Sequence, residues 1–83
     1  MRFEYKTQGV CASKIEFEIN GDIVENIRFI GGCNGNTQGV AKLANGRKVD
    51  EVITLLNGIH CGFKATSCPD QLAQALAEAK AKA

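Results

Sequence analysis

The composition lacks the features on which nucleic-acid-binding and membrane-spanning proteins depend. Tryptophan is absent, aromatic residues make up 6% of the 83 residues, and ten basic and nine acidic residues leave a net charge of +1. Arg47 and Lys48 are the only adjacent basic pair, and no aromatic residues interleave with them. Because a nucleic-acid interface combines clustered positive charge with stacking platforms, nucleic acid is not expected as a partner. No run approaches the roughly 20 apolar residues of a membrane span, so no membrane partner is expected either.

The N-terminal residues lack the apolar stretch of a signal peptide. The sequence "MRFEYKTQGV" alternates polar and apolar residues, which predicts a cytoplasmic protein whose thiols stay reduced. A hydrophobic fraction of 45%, a charged fraction of 23% and a single proline indicate a folded soluble domain. The length predicts one domain over residues 1–83, small enough that a metal, a disulfide or a partner often contributes to stability.

Specific phosphate-binding motifs are missing as well, although the stretch "GGCNGNTQG" from Gly31 to Gly39 is rich in glycine. A P-loop requires GxxxxGK[ST], and the dinucleotide fingerprint requires GxGxxG in a βαβ unit. The glycine spacing fits neither motif, and no Lys-Ser or Lys-Thr pair follows. A glycine loop between a strand and a helix can still attract an anion. A nucleotide-binding or anion-binding module therefore stays open as an alternative function.

The first third of the chain has the alternating pattern of β-strands. In "RFEYKT" the apolar Phe3 and Tyr5 share one face, and "KIEFEI" repeats this alternation. A third strand follows the sequence "NGD", which is typical of a hairpin. The predicted inward positions of the second strand are Ile15, Phe17 and Ile19.

Two registers are possible for this hairpin. A two-residue turn pairs Phe17 with Val24, whereas a three-residue turn pairs Ile19 with Ile23. Because residues paired across antiparallel strands share a face, the three-residue turn buries more apolar side chains, and we predict it. The same register pairs Ile15 with Ile27 and turns Phe29 inward.

The remainder of the chain predicts three helices that end at Asn-Gly pairs or at the C-terminus. Their expected spans are Asn36 or Thr37 to Ala44, about Arg47 to Leu56, and about Pro69 to the C-terminus. Leu43 lies on the predicted inward stripe of the first helix, and Leu72 on that of the third. The predicted fold class is therefore α+β, a three-stranded antiparallel β-β-β sheet followed by two or three helices packed on one face.

Four cysteines fall outside the apolar stripes, in predicted connections or at a helix start: Cys11, Cys33, Cys61 and Cys68. Unrelated structural thiols usually occupy core positions, which weighs against four independent buried cysteines. A disulfide framework would have three possible pairings, and a reducing cytoplasm disfavours it. Four thiolates complete a tetrahedral zinc shell and also hold iron–sulfur clusters. Because the intervening lengths of 21, 27 and 6 residues differ from those of zinc knuckles, the loop placement carries most of this prediction.

Local sequence around two of the cysteines favours their thiolate form. Glycines beside Cys33 leave backbone N–H groups free to approach a sulfur, and Pro69 indicates that Cys68 begins a helix, where the helix dipole favours negative charge. Ser67 and Asp70 resemble a helix capping box, and simple capping is the expected role for both. The residues that could support the ligands by hydrogen bonds are His60, Asn34, Ser67 and Asp70.

The stretch "TSCPD" from Thr66 to Asp70, taken with "GGCNGN", Cys11 and Cys61, resembles the pattern of the TSCPD domain family over essentially the whole chain. That family occurs as small stand-alone bacterial proteins and as a domain near the C-terminus of certain adenosylcobalamin-dependent ribonucleotide reductases. The resemblance implies that the four cysteines correspond to the family's own. It also implies a reductase-linked or metal-binding role in DNA precursor synthesis.

Three functions follow as hypotheses. The first is a metal-binding accessory domain that holds zinc or an iron–sulfur cluster and has a ribonucleotide reductase or another protein as partner. The second is a thiol–disulfide redox protein with Cys68 as nucleophile and Cys61 as resolving thiol. The third is the anion-binding module. Catalysis of ribonucleoside-diphosphate reduction by this chain alone is not expected, because 83 residues cannot supply a cofactor-binding barrel. The open sheet edges would also allow a homodimer.

Overall fold

A computed structural model describes residues 2–7, 12–31, 34–59 and 66–82. It contains a three-stranded antiparallel sheet in the order β1-β2-β3, followed by three helices, which confirms the predicted α+β arrangement. The elements are β1 (Arg2–Lys6), β2 (Ala12–Asn20), β3 (Ile23–Gly31), α1 (Asn34–Ala44), α2 (Val49–Leu56) and α3 (Cys68–Lys82).

The core lies between one face of the sheet and the helices. The predicted inward residues of β2 are all buried, and the ring of Phe17 stacks on that of Phe3 with centroids 5.6 Å apart. Val52 of α2 and Leu72 and Leu76 of α3 pack into the same cluster and are 0–1% exposed. The alternation of apolar residues therefore gives the sheet one buried face, and the helices cover it.

The predicted register of the β2–β3 hairpin is wrong. The turn has two residues, Gly21 and Asp22, and Ile19 pairs with Val24. Gly21 adopts a φ of 63°, which a type II′ turn requires at its first central position. A register shift opposite Phe17 then changes which side of β3 faces the core.

Asn26 explains that shift. It has a φ of 53°, unusual for a non-glycine residue, and it supplies the extra residue of a β-bulge. Its backbone N–H donates to Asn45 Oδ1 at 2.9 Å, which stabilises the bulge from the end of α1. Because the bulge inverts the alternation, Val24 and Ile27 both point into the core.

The helices differ from their predicted spans at the start of α1 and α2. Helix α1 begins at Asn34, before the predicted caps, and Leu43 is 71% exposed rather than inward. Helix α2 begins at Val49, because the backbone carbonyl of Arg47 accepts a hydrogen bond from Val24 N at 3.0 Å. Helix α3 begins at Cys68, as the preceding serine and following proline predict.

Helix α3 packs along α2, with Lys80 bonded to Asp50 near the start of α2 and Asp70 bonded to Gly58 beyond its end. Near the end of α3, Lys80 lines a small cavity of about 130 Å³ together with Ile19 and Gly21, at the β2–β3 turn. Ala75 and Ala79 lie beside Phe17, closer to the middle of β2. Since 12 residues of helix span about 18 Å, Cys68 lies about that far along α3 from Lys80.

Candidate functional site

The predicted ligand residues differ in how far the structure describes them. Cys68 is the first residue of α3 and is buried, with 8% of its surface exposed. Cys11, Cys33, Cys61 and His60 lie outside the described residues, as does the side chain of Asn34. Within the described ranges, no three His, Cys, Asp or Glu residues are grouped so that they could hold a metal ion.

Ser67 joins the start of α3 to the chain that follows α2. Its hydroxyl donates to the carbonyl oxygen of Ile59 at 2.6 Å and accepts from the backbone N–H of Asp70 at 3.1 Å. The second bond is the N-cap interaction expected from the sequence, made to the third residue of the helix. The first bond spans eight residues and could not be read from the sequence. Ser67 therefore caps the start of α3 and also fixes the position of residue 59.

Asp70 makes the second connection between the same two segments. Its Oδ1 accepts from the backbone N–H of Gly58 at 2.7 Å, and its Oδ2 accepts from the Thr66 hydroxyl and from Gln74 Nε2 at 2.8 Å. Gln71 Nε2 donates to the Thr66 hydroxyl oxygen at 3.0 Å. Because only 4% of the surface of Asp70 is exposed, these donors replace water around its carboxylate.

We call the bonds of Thr66, Ser67 and Asp70 to one another and to residues 58–59 the α3 clasp. It joins Gly58 and Ile59, which precede the segment containing Cys61, to Asp70 and Ser67, which follow it. It also fixes the backbone on both sides of Cys68. The polar residues of the "TSCPD" stretch are thus used to position the cysteine rather than to expose it.

Thr7 makes a similar connection across segment 8–11. Its backbone N–H donates to the carbonyl oxygen of Ser13 at 3.2 Å, and its buried hydroxyl donates to the carbonyl oxygen of Ala12. We call these two bonds the Thr7 clasp. Segment 8–11 contains Cys11, so each of these two cysteine-containing segments has its ends joined through a buried hydroxyl.

The first residue of β2 is also fixed from the other side. Ala12 pairs with Gly31, the last residue of β3, and is 1% exposed. A second register shift, between Ala12 and Lys14, lets Ala12 turn inward while Ser13 remains exposed. Ser13 Oγ donates to Ile30 O at 3.1 Å and thereby links the two strands at the shift. The start of β2 and the end of the strand that precedes α1 are thus paired with each other, as Ala12 and Gly31.

The glycine-rich stretch is organised differently from a loop. Gly31 ends β3 with a φ of 78°, and α1 already includes Gly35 and Gly39. Only residues 32–33 separate β3 from α1. Helix α1 therefore takes up two of the four glycines that suggested a phosphate cradle.

No functional role was predicted for several residues that take part in these hydrogen bonds. Gln71 and Gln74 follow the helical spacing of α3, and their amides are recognisable only once the Thr66 hydroxyl and Asp70 carboxylate lie beside them. Thr7 ends a predicted strand, where a hydroxyl has no distinctive sequence signal. The spacing of Ser67 and Asp70 did give a usable signal, and it indicated capping.

The chain is a small α+β domain in which buried hydroxyl and carboxylate groups form hydrogen bonds between the described residues that flank two cysteine-containing segments. The family model described as "TSCPD domain" matches residues 2–80, so the chain belongs to the TSCPD domain family. Searches of curated proteins and of solved structures found no significant match. None of the helices within the described residues is long and apolar enough to cross a membrane.

Proposed function

We propose that the chain is a metal-binding accessory domain in which Cys11, Cys33, Cys61 and Cys68 bind zinc or an iron–sulfur cluster. The donor set fits both, because four thiolates satisfy a tetrahedral zinc ion and also the four-cysteine ligation of an iron–sulfur cluster. Bound metal would add folding free energy to a domain with a small core. Zinc would be structural, and a cluster would supply one-electron chemistry.

The observation that carries the proposal is the position of the described residues next to the cysteines in the chain. Cys11 directly precedes Ala12, and Cys33 follows Gly31 by two residues. Ala12 and Gly31 are paired across the sheet. The described residues nearest to this pair of cysteines in the chain therefore share one sheet position.

The α3 clasp supplies the same argument for the other pair. Cys61 follows Ile59 by two residues, and Ile59 O accepts a hydrogen bond from Ser67, the neighbour of Cys68. Each pair of cysteines is therefore tethered by short chain segments to one set of described contacts, although its members are far apart in sequence. We propose that the two pairs meet at one metal.

Helix N-terminal ends supply backbone N–H groups that can donate to metal-bound sulfur. Cys68 is the first residue of α3, and Cys33 immediately precedes α1 in the sequence. The N-terminal end of a helix carries partial positive charge and unpaired N–H groups, which stabilise an anion nearby. Two of the four proposed ligands therefore adjoin helix N-terminal ends.

The burial of Cys68 favours metal binding over the thiol–disulfide hypothesis. A nucleophilic thiol that reduces a partner must be accessible to the partner's disulfide. Cys68 was the best candidate for that nucleophile, and only 8% of its surface is exposed. A buried sulfur can still face a metal that is enclosed by the same protein.

A reductase-linked role completes the proposal and rests on the family. The TSCPD resemblance associates such domains with ribonucleotide reductases, so we propose a ribonucleotide reductase as the partner. The chain would act as an accessory or interaction domain, because its length does not accommodate the radical chemistry of that reaction. Co-elution of the metal-loaded chain with a purified reductase, compared with the metal-free chain, tests this part.

The decisive experiment is elemental analysis with a thiol count on protein purified without oxygen. We expect bound metal and four thiols that react only after the protein is unfolded. Broad absorption near about 400 nm would identify an iron–sulfur cluster, and its absence with one zinc per chain would identify zinc. Substituting each of the four cysteines by serine should release the metal. A metal-free protein with two rapidly reacting thiols would overturn the proposal in favour of the redox hypothesis.

A further inference from the structure

Strand β1 forms one edge of the sheet, because the strand order is β1-β2-β3. It pairs with β2 along its whole length, and no register shift interrupts that pairing. Within residues 2–7, 12–31, 34–59 and 66–82, no strand pairs with the other side of β1. An edge strand presents N–H and C=O groups that can pair with another chain. The outer side of β1 is therefore a candidate interaction surface.

The opposite edge of the sheet, formed by β3, is covered by the chain between α1 and α2. Val24 N donates to Arg47 O at 3.0 Å, and Gly46 N donates to Val24 O at 2.7 Å. The bulge at Asn26, whose N–H donates to Asn45 Oδ1, interrupts the pairing pattern of this edge. Covering segments and bulges are two of the devices that keep an edge from pairing with another chain. Strand β1 has no bulge, and no segment of the described residues covers its edge in this way.

The hydrogen bond that follows β1 indicates which of its backbone groups point outward. Thr7 N donates to Ser13 O at 3.2 Å, so these two residues form a hydrogen-bonded pair. Hydrogen-bonded pairs alternate with non-hydrogen-bonded pairs along an antiparallel ladder, so Tyr5 also directs its N–H and C=O toward β2. Its neighbours Glu4 and Lys6 therefore direct their N–H and C=O groups away from the sheet.

The charges of β1 match those of a second β1 that runs antiparallel to it. A two-fold axis at Tyr5 places Glu4 opposite Lys6 of the second copy, and Lys6 opposite its Glu4. Each such pair also exchanges two backbone hydrogen bonds, because these are the residues whose groups point outward. An axis at Glu4 would place two glutamates opposite each other, which destabilises a strand pair. An axis at Phe3 keeps opposite charges together but pairs fewer of the described residues.

The side chains on both faces of β1 suit the axis at Tyr5. Tyr5 is half-buried and packs against the core cluster, and in the dimer it forms an aromatic pair with Tyr5 of the second copy. Such cross-strand aromatic pairs stabilise a sheet. On the outer face, Glu4 uses Oε1 to bind Lys14, and Lys6 has no ion pair among the described residues. A lysine at an edge usually opposes pairing, but here the second copy supplies a carboxylate directly opposite it.

We propose that the protein forms a weak two-fold dimer through the outer edge of β1, with Tyr5 at the axis, so that two copies share one continuous sheet. The second copy is the occupant because the charge pattern of β1 complements itself. A strand of this length buries less area than a standard interface, so we expect a dissociation constant on the order of 100 μM. This inference goes beyond the proposed function and does not depend on bound metal.

The experiment exchanges the paired charges and measures dimerisation by sedimentation velocity up to about 1 mM chain, with reductant present to prevent disulfides. Lys6→Glu and Glu4→Lys each place like charges opposite each other and should raise the dissociation constant by at least about tenfold. An equimolar mixture of the two variants restores opposite charges at both positions and should form a heterodimer within about threefold of the wild-type affinity. Lys42→Glu makes the same charge change on an exposed residue of α1 and should stay within about twofold of the wild type.

Tyr5 allows a direct test of the axis, because it is the only tyrosine in the chain. Photo-oxidative cross-linking couples tyrosine rings that touch, so dityrosine fluorescence in the cross-linked dimer reports contact between the two copies of Tyr5. We expect this signal in the wild type and in the mixture of charge variants. It should be lost in Lys6→Glu alone and in Tyr5→Phe.

Three results would overturn the dimer. The wild-type chain could remain monomeric at about 1 mM, Lys6→Glu could leave the affinity unchanged, or the mixture of folded charge variants could stay monomeric. Should either variant fail to fold by circular dichroism, the presence or absence of the Tyr5 cross-link in the wild type decides. All samples carry the same metal content, so a failed dimer is distinguishable from a failure of the proposed metal binding.

Discussion

Two regions of the molecule differ in the kind of hydrogen bond that joins their chain segments. At the end formed by the β2–β3 turn, Val24 N donates to Arg47 O at 3.0 Å, Gly46 N to Val24 O at 2.7 Å, and Val49 N to Asp22 O at 2.7 Å. These are backbone bonds, which almost any residue can make once the chain follows that path. We call this the backbone-bonded end.

Away from that turn, side chains make connections between segments. The hydroxyls of Thr7 and Ser67 and the carboxylate of Asp70 bond to the backbone of residues distant in sequence. We call this the clasp end. The difference teaches where residue identity matters, since a backbone hydrogen bond tolerates substitution whereas a side-chain hydrogen bond is lost when its polar residue is replaced.

The largest expected effect removes the core that both ends share. Leu72 is 0% exposed, and Leu72→Ala should lower the free energy of unfolding by about 2–5 kcal/mol, because it deletes buried surface and leaves a cavity. Chemical denaturation measures this change. Leu55→Ala is the control, since Leu55 is 60% exposed and its truncation should cost little. Equal losses from the two variants would show that Leu72 is not in the shared core.

The next prediction tests whether the clasp end can be destabilised without affecting the backbone-bonded end. Asp70→Ala should cost about 1–3 kcal/mol, because the N–H of Gly58 and the Gln74 amide lose their acceptor. In hydrogen exchange, the Gly58 amide should exchange faster while the Val24 amide at the backbone-bonded end keeps its protection.

Asp50→Ala is the matched control for that variant. Asp50 makes an exposed ion pair with Lys80, and such pairs contribute about 0–1 kcal/mol. If Asp70→Ala accelerated exchange equally at Val24 and Gly58, the two ends would not be independent units of stability.

A glycine variant at the backbone-bonded end can be compared with a glycine variant inside α1. Gly46 has a φ of 83°, and no atom lies within 4 Å of the position that a Cβ would take, so Gly46→Ala should destabilise through backbone strain alone, by about 1–2 kcal/mol. Gly39 also has open space but lies within α1, so Gly39→Ala should stabilise by about 0.5–1 kcal/mol. Thermal melts compare them, and a shift of the same sign in both would contradict this account.

The smallest effect is expected on the outer face of the sheet, which belongs to neither end. The hydrogen bond from Lys14 lowers the pKa of Glu4 below its ordinary value, and the same bond raises the pKa of Lys14. A lowered carboxyl pKa means that the stabilisation exists above the unfolded value and is lost as pH falls through the folded one. The difference in unfolding free energy between wild type and Glu4→Gln should therefore disappear in acid.

The outer-face prediction also has a salt dependence. Both side chains are exposed, so added salt should reduce the small difference between wild type and Glu4→Gln at neutral pH. A difference that persisted unchanged through acid titration and high salt would mean that Glu4 acts through packing and not through its charge.

Much of the fold followed from local sequence. The alternation around Ile15 and Phe17 predicted the buried sheet face, and the Asn-Gly pairs predicted where α1 and α2 end, because Gly46 and Gly58 adopt the positive φ that glycine allows. The start of α3 followed from the serine and proline beside Cys68. These features depend on neighbouring residues, so the sequence contains the relevant information.

The register and the clasps depended on distant residues. Asn26 forms its bulge with the help of Asn45, 19 positions along the chain, and no local pattern marks that partnership. The exposure of Leu43 likewise follows from how α1 lies against β3 rather than from its spacing in the helix. For the candidate site, the sequence supplied the four cysteines and the Ser67 cap, but not the bonds of Thr7.

By itself the sequence determined the fold class, the approximate strands and helices, and the membership in the TSCPD family. It did so because periodicity, turn residues and helix caps act over a few residues. Only the tertiary structure decided that Ser67 and Asp70 reach back to residues 58 and 59. Hydrogen bonds between segments require the packed core to bring them together, so no stretch of sequence specifies them alone.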